Sequence, residues 1–511
     1  MTKDKYAIID IGSNTMRLVI FQRDKSGRLK EIENVKAVAR LRNYLTEGSI
    51  LTKDGIRILL TTLHSFQGVT RHHQLKEVKC VATATIRQAA NQKEIINLVT
   101  EETDFTIRLL SEYEEAYFGF LAVVNSTSID DGITIDIGGG STEITYFKDR
   151  KLINYHSFPF GSLSLKKQFV TREVPSEEEL EKLRIFLKGE FQSLTWLKNK
   201  QLPIVAIGGS ARNMVQIDQS LKAYPLAGVH QYKMKLEDIE EVKRHLIELT
   251  FSDLQKVEGL SRDRADIIIP AVEVFQSLYE HVDANQFILS KKGLRDGVFY
   301  EELTRDFGLS IFPNVIEESF YELATDYDIN LNHVFQVTNI ASAIFQHLKE
   351  AEIYSLTNED LIILKRGAFV YNLGQYIDSD SSSQHTFYLI ANRTIDGLLH
   401  PDRLKIALVV SYKSKESFKQ YLDPYQDWFT KEVQKKLRLL GALIKFSYSL
   451  NATKRNIVKH IEFEDVQSGL IFHISCSKDW QPEYYQVEKQ KKHLEKIVKR
   501  TITVKFKYVE N

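Results

Sequence analysis

The sequence predicts two related α/β lobes followed by a mainly helical C-terminal region, and three observations support this organisation. Strand-like and helix-like segments alternate over residues 1–125 and again over residues 126–305, whereas long helical patterns dominate residues 306–511. A short motif that follows an apolar run in the first lobe returns at the corresponding place in the second. A chain of 511 residues is also too long for a single core, so about three domains are expected.

The repeated motif begins at Asp10 and returns 126 residues later at Asp136, with Ile and Gly following in both copies. Each copy lies between an apolar run and a β-rich run, which predicts a β-hairpin with Gly at its bend. Gly has no Cβ, so backbone N–H groups at such a bend can approach an anion closely. A single glycine turn usually only closes a hairpin, but two copies with matched Asp residues favour a phosphate clamp. The candidate phosphate-contacting residues of the two turns are Gly12, Ser13, Asn14, Thr15, Gly138, Gly139, Gly140 and Ser141.

Charged residues near the motif supply candidate metal ligands and one candidate cation. Asp10 and Asp136 end the two strands, and Mg²⁺ prefers oxygen ligands of this kind together with phosphate partners. Glu143 follows the second turn closely enough to join Asp136, although an outward-facing strand residue is the alternative. Arg87 follows a predicted strand, and its planar guanidinium suits phosphate oxygens. A surface ion pair would explain Arg87 equally well.

A capping box predicts where one helix begins. Residues 111–114 (Ser-Glu-Tyr-Glu) have Ser at the N-cap position and Glu three residues later, and Glu115 lies in the first turn or just past it. A rigid helix start suits a carboxylate that must point at a water molecule. The alternative is that Glu112, Glu114 and Glu115 only complement the helix dipole. Position alone favours that alternative for any one of them.

The other predicted elements are distributed over all three regions. The strands are residues 78–82, 204–210 with a closing glycine turn, 470–474 and 501–509, the helices are residues 93–102, 333–348, 431–446 and 489–500, and residues 378–384 form a loop.

Composition describes an ordinary globular protein, with 43% hydrophobic and 27% charged residues. Its two cysteines, Cys80 and Cys476, are 396 positions apart, which argues against a disulfide framework and for a reducing compartment. Residues 1–5 do not form the apolar core of a signal peptide, and no uncharged apolar run reaches the roughly 18 residues that a membrane helix needs. The sequence therefore predicts a cytoplasmic enzyme.

Charge is distributed unevenly, although the formal net charge is zero. Residues 301–400 carry 5 Lys+Arg against 15 Asp+Glu, a net of −10, and residues 401–511 carry 22 against 13, a net of +9. The two stretches would either neutralise each other across an internal interface or leave a basic groove for a polyanion. The sequence leaves both interpretations open.

Together these motifs resemble the exopolyphosphatase and guanosine-pentaphosphate phosphohydrolase family, within the actin, Hsp70 and sugar-kinase superfamily. The matching pieces occur in the family's order, at residues 10–15, 82–87, 114–116, 136–143, 158–161, 208–213, 264–270 and 293–297. The resemblance implies two ribonuclease-H-like lobes with an active site in the cleft between them. It also implies release of a terminal phosphate with the help of a divalent metal, Glu115 as the catalytic base, and Asp136 and Glu143 as the acidic pair of the second motif.

The C-terminal region looks like the family's helical extension, which is similar to HD-type metal phosphohydrolase domains. His333 and the run around His385 keep that outline, but Tyr371 and Asn372 stand where the tandem His-Asp would be. Neither side chain supplies the imidazole and carboxylate that such a metal centre needs. We therefore expect no second metal-dependent site there, and a role in substrate grip or dimerisation instead.

The resulting prediction is an exopolyphosphatase that removes orthophosphate from the end of inorganic polyphosphate. Mg²⁺ or Mn²⁺ would lie near the three acidic residues, and Glu115, ionised at pH 7 from a reference pKa of about 4.3, would deprotonate the attacking water. We expect a homodimer without a nucleic-acid or membrane partner. Guanosine pentaphosphate is the alternative substrate, and a superfamily kinase or a non-catalytic phosphate or nucleotide sensor is the alternative of another class.

Overall fold

Both copies of the repeated motif form antiparallel hairpins in the computed structural model, which describes residues 5–23, 29–75, 77–305, 308–467 and 469–509. These residues divide into two compact units, of which the first ends at Val315 and the second contains Ile316 onward together with Pro225–Gly228. Residues 1–4 and the predicted domain boundary at residue 306 lie outside the described residues. The other predicted boundaries stay predictions.

The first sheet of the first unit has the strand order β3-β2-β1-β4-β5. Its strands are β1 (Lys5–Ile11), β2 (Thr15–Arg23), β3 (Leu29–Val38), β4 (Val78–Ala82) and β5 (Ile107–Leu109). The α-helices of this part are α1 (Lys53–His72), α2 (Ala84–Arg87), α3 (Gln92–Glu102) and α4 (Glu112–Val124). Strands β1 to β3 are antiparallel, and β4 and β5 run parallel to β1. The predicted strand 78–82 and helix 93–102 are confirmed.

The second sheet repeats this arrangement, with the strand order β10-β11-β9-β6-β7-β8. Its strands are β6 (Gly132–Ile137), β7 (Thr142–Lys148), β8 (Lys151–Phe158), β9 (Ile204–Ile207), β10 (Lys233–Met234) and β11 (Phe287–Leu289). The helices are α5 (Ser162–Phe169), α6 (Glu177–Gln192), α7 (Gly208–Leu221), α8 (Leu236–Ile247), α9 (Phe251–Leu254), α10 (Ile268–Val282) and α11 (Leu294–Arg305).

The two sheets share one topology, since three antiparallel strands are followed by two parallel ones in each. Strands β6, β7 and β8 correspond to β1, β2 and β3, and β9 and β11 correspond to β4 and β5. This confirms the prediction of two related α/β lobes and is the arrangement of ribonuclease-H-like domains. We call the first sheet with α1–α3 the first lobe and the second sheet with α5–α10 the second lobe.

Helix α4 is buried between the two lobes and therefore determines where its first turn lies. The predicted capping box is present, because the Ser111 side chain accepts from the N–H of Glu114 and the Glu114 carboxylate accepts from the N–H of Ser111. The core around α4 combines residues of both sheets, such as Ile8 and Val205. Burial on both sides directs the N-terminal end of α4, with Glu115, to the place where the two hairpins meet.

The second unit is mainly helical, as predicted. Its helices are α12 (Val315–Asp326), α13 (Leu331–Glu350), α14 (Asn358–Val370), α15 (Ser382–Asn392), α16 (His400–Val410), α17 (Lys415–Leu422), α18 (Lys431–Ser449) and α19 (Gln481–Val498), and its strands are β12 (Val458–Val466), β13 (Gly469–Cys476) and β14 (Thr501–Tyr508). Strand β12 was not predicted, and the predicted loop 378–384 ends early because α15 begins at Ser382. No helix within the described residues has the length and apolarity needed to span a membrane.

Candidate active site

A cavity of about 360 Å³ in the first unit brings the two hairpin turns together. Seven of the eight predicted turn residues line it, namely Gly12, Ser13, Asn14, Thr15, Gly138, Gly139 and Ser141. The turns are close enough that a Cβ on Gly139 would lie 3.0 Å from the Cβ of Ser13. The predicted clamp geometry, with two glycine turns facing one space, is therefore present in the fold.

The backbone N–H groups of the two turns divide into two kinds. Those of Gly12 and Gly138 close their own turns, because they donate to the carbonyls of Thr15 (3.1 Å) and Ser141 (2.9 Å). They are therefore not free to donate to a phosphate, contrary to the expectation that every turn N–H takes part. The next N–H groups in each turn, from Ser13 and Asn14 and from Gly139 and Gly140, have no backbone carbonyl as acceptor among the described residues.

The side chain of Asn14 is polar, buried and without a protein partner. It is only 6% exposed, and neither Nδ2 nor Oδ1 has a hydrogen-bond partner among the described residues. An amide in this state costs free energy unless a ligand or water satisfies it. Its neighbour Ser13 accepts a hydrogen bond from the Thr85 hydroxyl at 2.7 Å, which orders the turn.

Two of the predicted acidic residues, Glu115 and Glu143, form a buried pair. Glu143 lies directly opposite Asp136 across the β6–β7 hairpin, and its carboxyl is hydrogen-bonded to that of Glu115. Burial and the charge of Glu143 raise the pKa of Glu115 well above the usual range of a carboxyl. Burial also raises the pKa of Glu143, although Ser141 and Ser157 donate hydrogen bonds to it. The reference pKa used in the sequence prediction therefore does not describe Glu115, because burial and the charge of Glu143 disfavour its ionised form.

The guanidinium of Arg87 contacts Glu115 of this pair. It forms a short hydrogen-bonded ion pair with Glu115 and donates to the carbonyl of Leu110 at 2.8 Å. It does not line the cavity, and neither does Gly140. Its buried Nη2 has no partner among the described residues. A direct phosphate contact of Arg87 stays a prediction, whereas its observed contact orients the candidate base.

Asp10 and Asp136 lie at the ends of corresponding strands on the cavity wall. Asp10 Oδ2 accepts from Arg295 at 2.8 Å. Burial, followed by the charges of Glu143 and Asp10, raises the pKa of Asp136 to about 7. A Cβ atom at position 208 would lie 2.6 Å from Asp136 Oδ1. The backbone φ there is +90°, which only Gly adopts readily. Gly208 thus leaves room for the carboxylate.

Six basic side chains also line the cavity. They are Arg17, Lys36, Arg212, Arg264, Lys291 and Arg295. Burial, followed by the charges of Arg295 and Arg212, lowers the pKa of Arg17 to about 10, so these three guanidinium groups are close enough to repel one another. Such an arrangement is suited to an anion with several charges.

None of these six residues was predicted as a site residue. Arg212, Arg264 and Arg295 lie within motifs that the sequence matched to a family. Arg17 stands at the same offset from Asp10 as Glu143 from Asp136. Both facts were signals that could have found these four arginines, whereas Lys36 and Lys291 carried no such signal.

Comparison with known proteins agrees with this geometry. The family model described as Ppx/GppA phosphatase family matches residues 19–306, and the model described as Ppx/GppA phosphatase, domain III, matches residues 315–495. This chain belongs to the Ppx/GppA phosphatase family. Its first unit has the actin-like ATPase fold, and the second unit is the helical domain III of that family.

Solved structures of similar proteins support the same assignment. The Ppx/GppA family member of Aquifex aeolicus is 27% identical with a TM-score of 0.52, and the match covers 59% of this chain and 98% of that one. An exopolyphosphatase from Cytophaga hutchinsonii is 20% identical with a TM-score of 0.55, over 59% of this chain and 98% of its own. The second likeness concerns the fold alone.

The family resemblance implied a divalent metal, and the acidic residues fit one in a limited way. Within the described ranges, no three His, Cys, Asp or Glu side chains converge as a metal-binding cage. Burial, followed by the charges of Glu143 and Asp10, disfavours the ionised form of Asp136, and a bound cation would offset this. Mg²⁺ commonly takes one or two carboxylates and completes its shell with phosphate oxygens and water. The residues therefore suit an ion that binds together with substrate.

The predicted remnant of an HD-type centre lies in the core of the second unit. His333 is buried, its Nδ1 contacts Asn451 Nδ2 at 2.9 Å, and its ring packs edge-on against Tyr448. Burial lowers the pKa of His333 to about 4. Tyr371 also packs against Tyr448. His333 and Tyr371 thus both pack against Tyr448. The expected lack of a second metal centre stays a prediction.

Proposed function

We propose that this Ppx/GppA phosphatase is an exopolyphosphatase, which releases terminal orthophosphate from inorganic polyphosphate. The observation that carries the proposal is that carboxyl and guanidinium groups line one cavity. The buried pair of Glu115 and Glu143 lines it together with several arginines. A phosphate chain carries a charge on every unit and would place its end at the carboxylates and its next units at the arginines.

Glu115 would accept the proton of the attacking water. The water oxygen attacks the terminal phosphorus, the bond to the neighbouring phosphate breaks, and the shortened chain leaves with the negative charge. Phosphoryl transfer needs mainly positioning and charge neutralisation from the protein. A carboxyl whose pKa is raised above its usual range is a stronger base than an ordinary one when it is ionised. Arg87 would hold this carboxyl in a fixed orientation through their ion pair.

The free N–H groups of the two turns and the unpartnered Asn14 amide would bind the terminal phosphate oxygens. Arg17, Arg212 and Arg295 would bind the following phosphate. Mg²⁺, held by Asp136 and Glu143 with help from Asp10, would neutralise phosphate charge when bound. All of these contacts would be made to phosphate groups, and none to a nucleobase.

The cavity lining favours a phosphate chain over a nucleotide. Among the described residues, no Phe, Tyr, Trp or His side chain lines the cavity, and its apolar lining consists of Ile137, Ile207 and Leu294. A guanine ring usually binds against an aromatic or flat apolar surface with polar groups at its edge. We therefore propose inorganic polyphosphate as the preferred substrate and guanosine pentaphosphate as the weaker one.

A side-by-side assay tests this proposal. Phosphate release would be measured from long polyphosphate, tripolyphosphate and guanosine pentaphosphate with the same enzyme preparation. We expect kcat/KM to be highest for the inorganic chains. A higher kcat/KM for guanosine pentaphosphate would reverse the substrate assignment, and no release from any of the three would overturn the proposed activity.

A further inference from the structure

Arg40 connects the two lobes beside the cavity. Its backbone N–H donates to the carbonyl of Asn14 at 2.9 Å, which ties it to the first glycine turn. Its guanidinium reaches the second lobe, where Nη1 and Nη2 bind the two carboxylate oxygens of Asp266 at 3.0 and 3.1 Å. Nη2 also donates to the carbonyl of Asp263 at 2.8 Å. Arg40 is thus hydrogen-bonded both to the first glycine turn and to the 263–266 turn of the second lobe.

The two residues that Arg40 holds lie on either side of Arg264. Arg264 lines the cavity and its Nη1 contacts the Ser210 hydroxyl at 3.4 Å. Because Arg40 of the first lobe binds both Asp263 and Asp266, the short segment between them has little freedom to move away from the cavity. The position of Arg264, a cavity-lining cation of the second lobe, is therefore linked to a side chain of the first.

The backbone of Arg40 is unusual for its residue type. It has φ 46° and ψ 42°, the left-handed region that non-glycine residues adopt only at a cost in free energy. Local strain of this kind persists where surrounding contacts over-determine it, and it is concentrated at functional sites. Here the strained conformation allows the N–H to reach Asn14 and the side chain to reach Asp266.

Two cations favour the ionised form of Asp266, the partner of Arg40. Lys166 approaches it at 3.3 Å in addition to Arg40. Although burial opposes this, the Arg40 hydrogen bond and the Lys166 charge keep the pKa of Asp266 below its usual range. The neighbouring pair of Lys36 and Asp263, at 2.8 Å, adds a second ionic contact between the lobes.

We propose that Arg40 is a positioning residue, which places Arg264 at the substrate by joining the first glycine turn to the 263–266 turn. It does not itself line the cavity, and the inference rests on the proposed phosphate-chain substrate. Without this link, a smaller fraction of molecules would have both turns in place. A smaller competent fraction raises the apparent dissociation constant in proportion and leaves the rate of the saturated enzyme less affected.

The test uses Arg40→Lys in the full chain. Lys keeps the charge but cannot form the planar fork to Asp266, so positioning is lost while the local field remains. We expect KM for tripolyphosphate to rise on the order of tenfold, as for loss of hydrogen bonds to a charged group, with a smaller change in kcat. The matched control is Arg71→Lys, because Arg71 makes the same two-point contact with Asp104 on an exposed surface. The control should leave KM unchanged.

A double-mutant cycle with Arg264→Gln separates positioning from general destabilisation. If Arg40 acts through Arg264, Arg40→Lys adds little to KM in the Arg264→Gln background. Effects that multiply independently would overturn the inference, and so would an unchanged KM in Arg40→Lys. Calorimetric binding of tripolyphosphate to Asp266→Asn, which keeps the carboxyl shape, should show the same loss without relying on turnover.

The behaviour of the wild-type protein distinguishes a failure of the proposed function from a failure of the role assigned to Arg40. A wild-type protein that neither binds nor hydrolyses tripolyphosphate would overturn the proposed function and this inference together. A wild-type protein that does both, with Arg40 variants that match it, would overturn the inference alone.

Discussion

Arg17 occupies in the first hairpin the position that Glu143 occupies in the second. Arg17 lies opposite Asp10 across β1 and β2, and Glu143 lies opposite Asp136 across β6 and β7, in the same register. Two hairpins of one geometry thus present opposite charges at corresponding places. The first hairpin has an acid–base pair suited to holding phosphate, whereas the second has two acids suited to metal binding or proton transfer.

The role of Glu115 can be tested by removing its basicity. Glu115→Gln keeps the shape of the side chain, so phosphate turnover should fall by roughly 10²–10⁴-fold, as for loss of a general base. Binding of tripolyphosphate should persist because the turns are untouched. The control is Glu114→Gln, since Glu114 belongs to the capping box. A larger loss of turnover in the control than in Glu115→Gln would show that Glu115 is not the base.

The stability of the metal-free protein should depend on Asp136 and pH. Folding raises the pKa of Asp136 from 3.8 to about 7. Between these two pH values the folded protein keeps a proton on Asp136 that the unfolded chain has lost. The contribution of this group to stability is therefore present below about pH 4 and lost as pH rises to about 7. Asp136→Asn removes the ionisation. In chelator, its Tm relative to wild type should be higher at pH 8 than at pH 4, and a pH-independent difference would contradict the pKa shift.

Metal binding can be followed without activity. Mg²⁺ or Mn²⁺ added to the wild-type protein at pH 8, with tripolyphosphate present, should raise Tm because ligands that bind only the folded state stabilise it. Asp136→Asn and Glu143→Gln should each need a higher Mg²⁺ concentration for the same shift, as hard oxygen ligands are lost. Phosphate release that continues unchanged in chelator would contradict a metal-dependent reaction.

A basic cluster in the second unit tests the two interpretations of charge distribution. Burial, followed by the charges of Lys413, Lys492 and Lys489, lowers the pKa of Lys445 to about 8, so like charges are concentrated there. If this cluster holds the distal part of a long chain, Lys489→Gln/Lys492→Gln should raise KM for long polyphosphate roughly two- to tenfold. KM for tripolyphosphate should change little, and added salt should reduce the difference.

The matched control for that variant is Lys182→Gln/Lys188→Gln. It removes the same number of charges from exposed positions of α6 in the first unit. Equal effects of both variants on both substrates would favour the alternative, in which the basic stretch only balances acidic residues 301–400.

Local sequence determined the parts of the fold that depend on neighbours in the chain. The capping box of Ser111 and Glu114 could be predicted because its two hydrogen bonds join residues three apart. The two hairpins could be predicted because an apolar strand, a glycine turn and a returning strand are contiguous, and their repetition indicated two related lobes. Strand β12 escaped prediction because its exposed charged residues hide the alternating pattern.

The tertiary structure decided the chemistry of the candidate site. Asp10 and Arg295 are 285 residues apart and Arg40 and Asp266 are 226 apart, so no local pattern links either pair. The raised pKa of Glu115 depends on burial beside Glu143 and cannot be read from the helix that carries it. Sequence alone therefore determined which groups are available, because residue type and local hydrogen bonding are properties of the chain. Only the packing of the two lobes decided their charge, since desolvation and Coulomb energy depend on distances that folding creates.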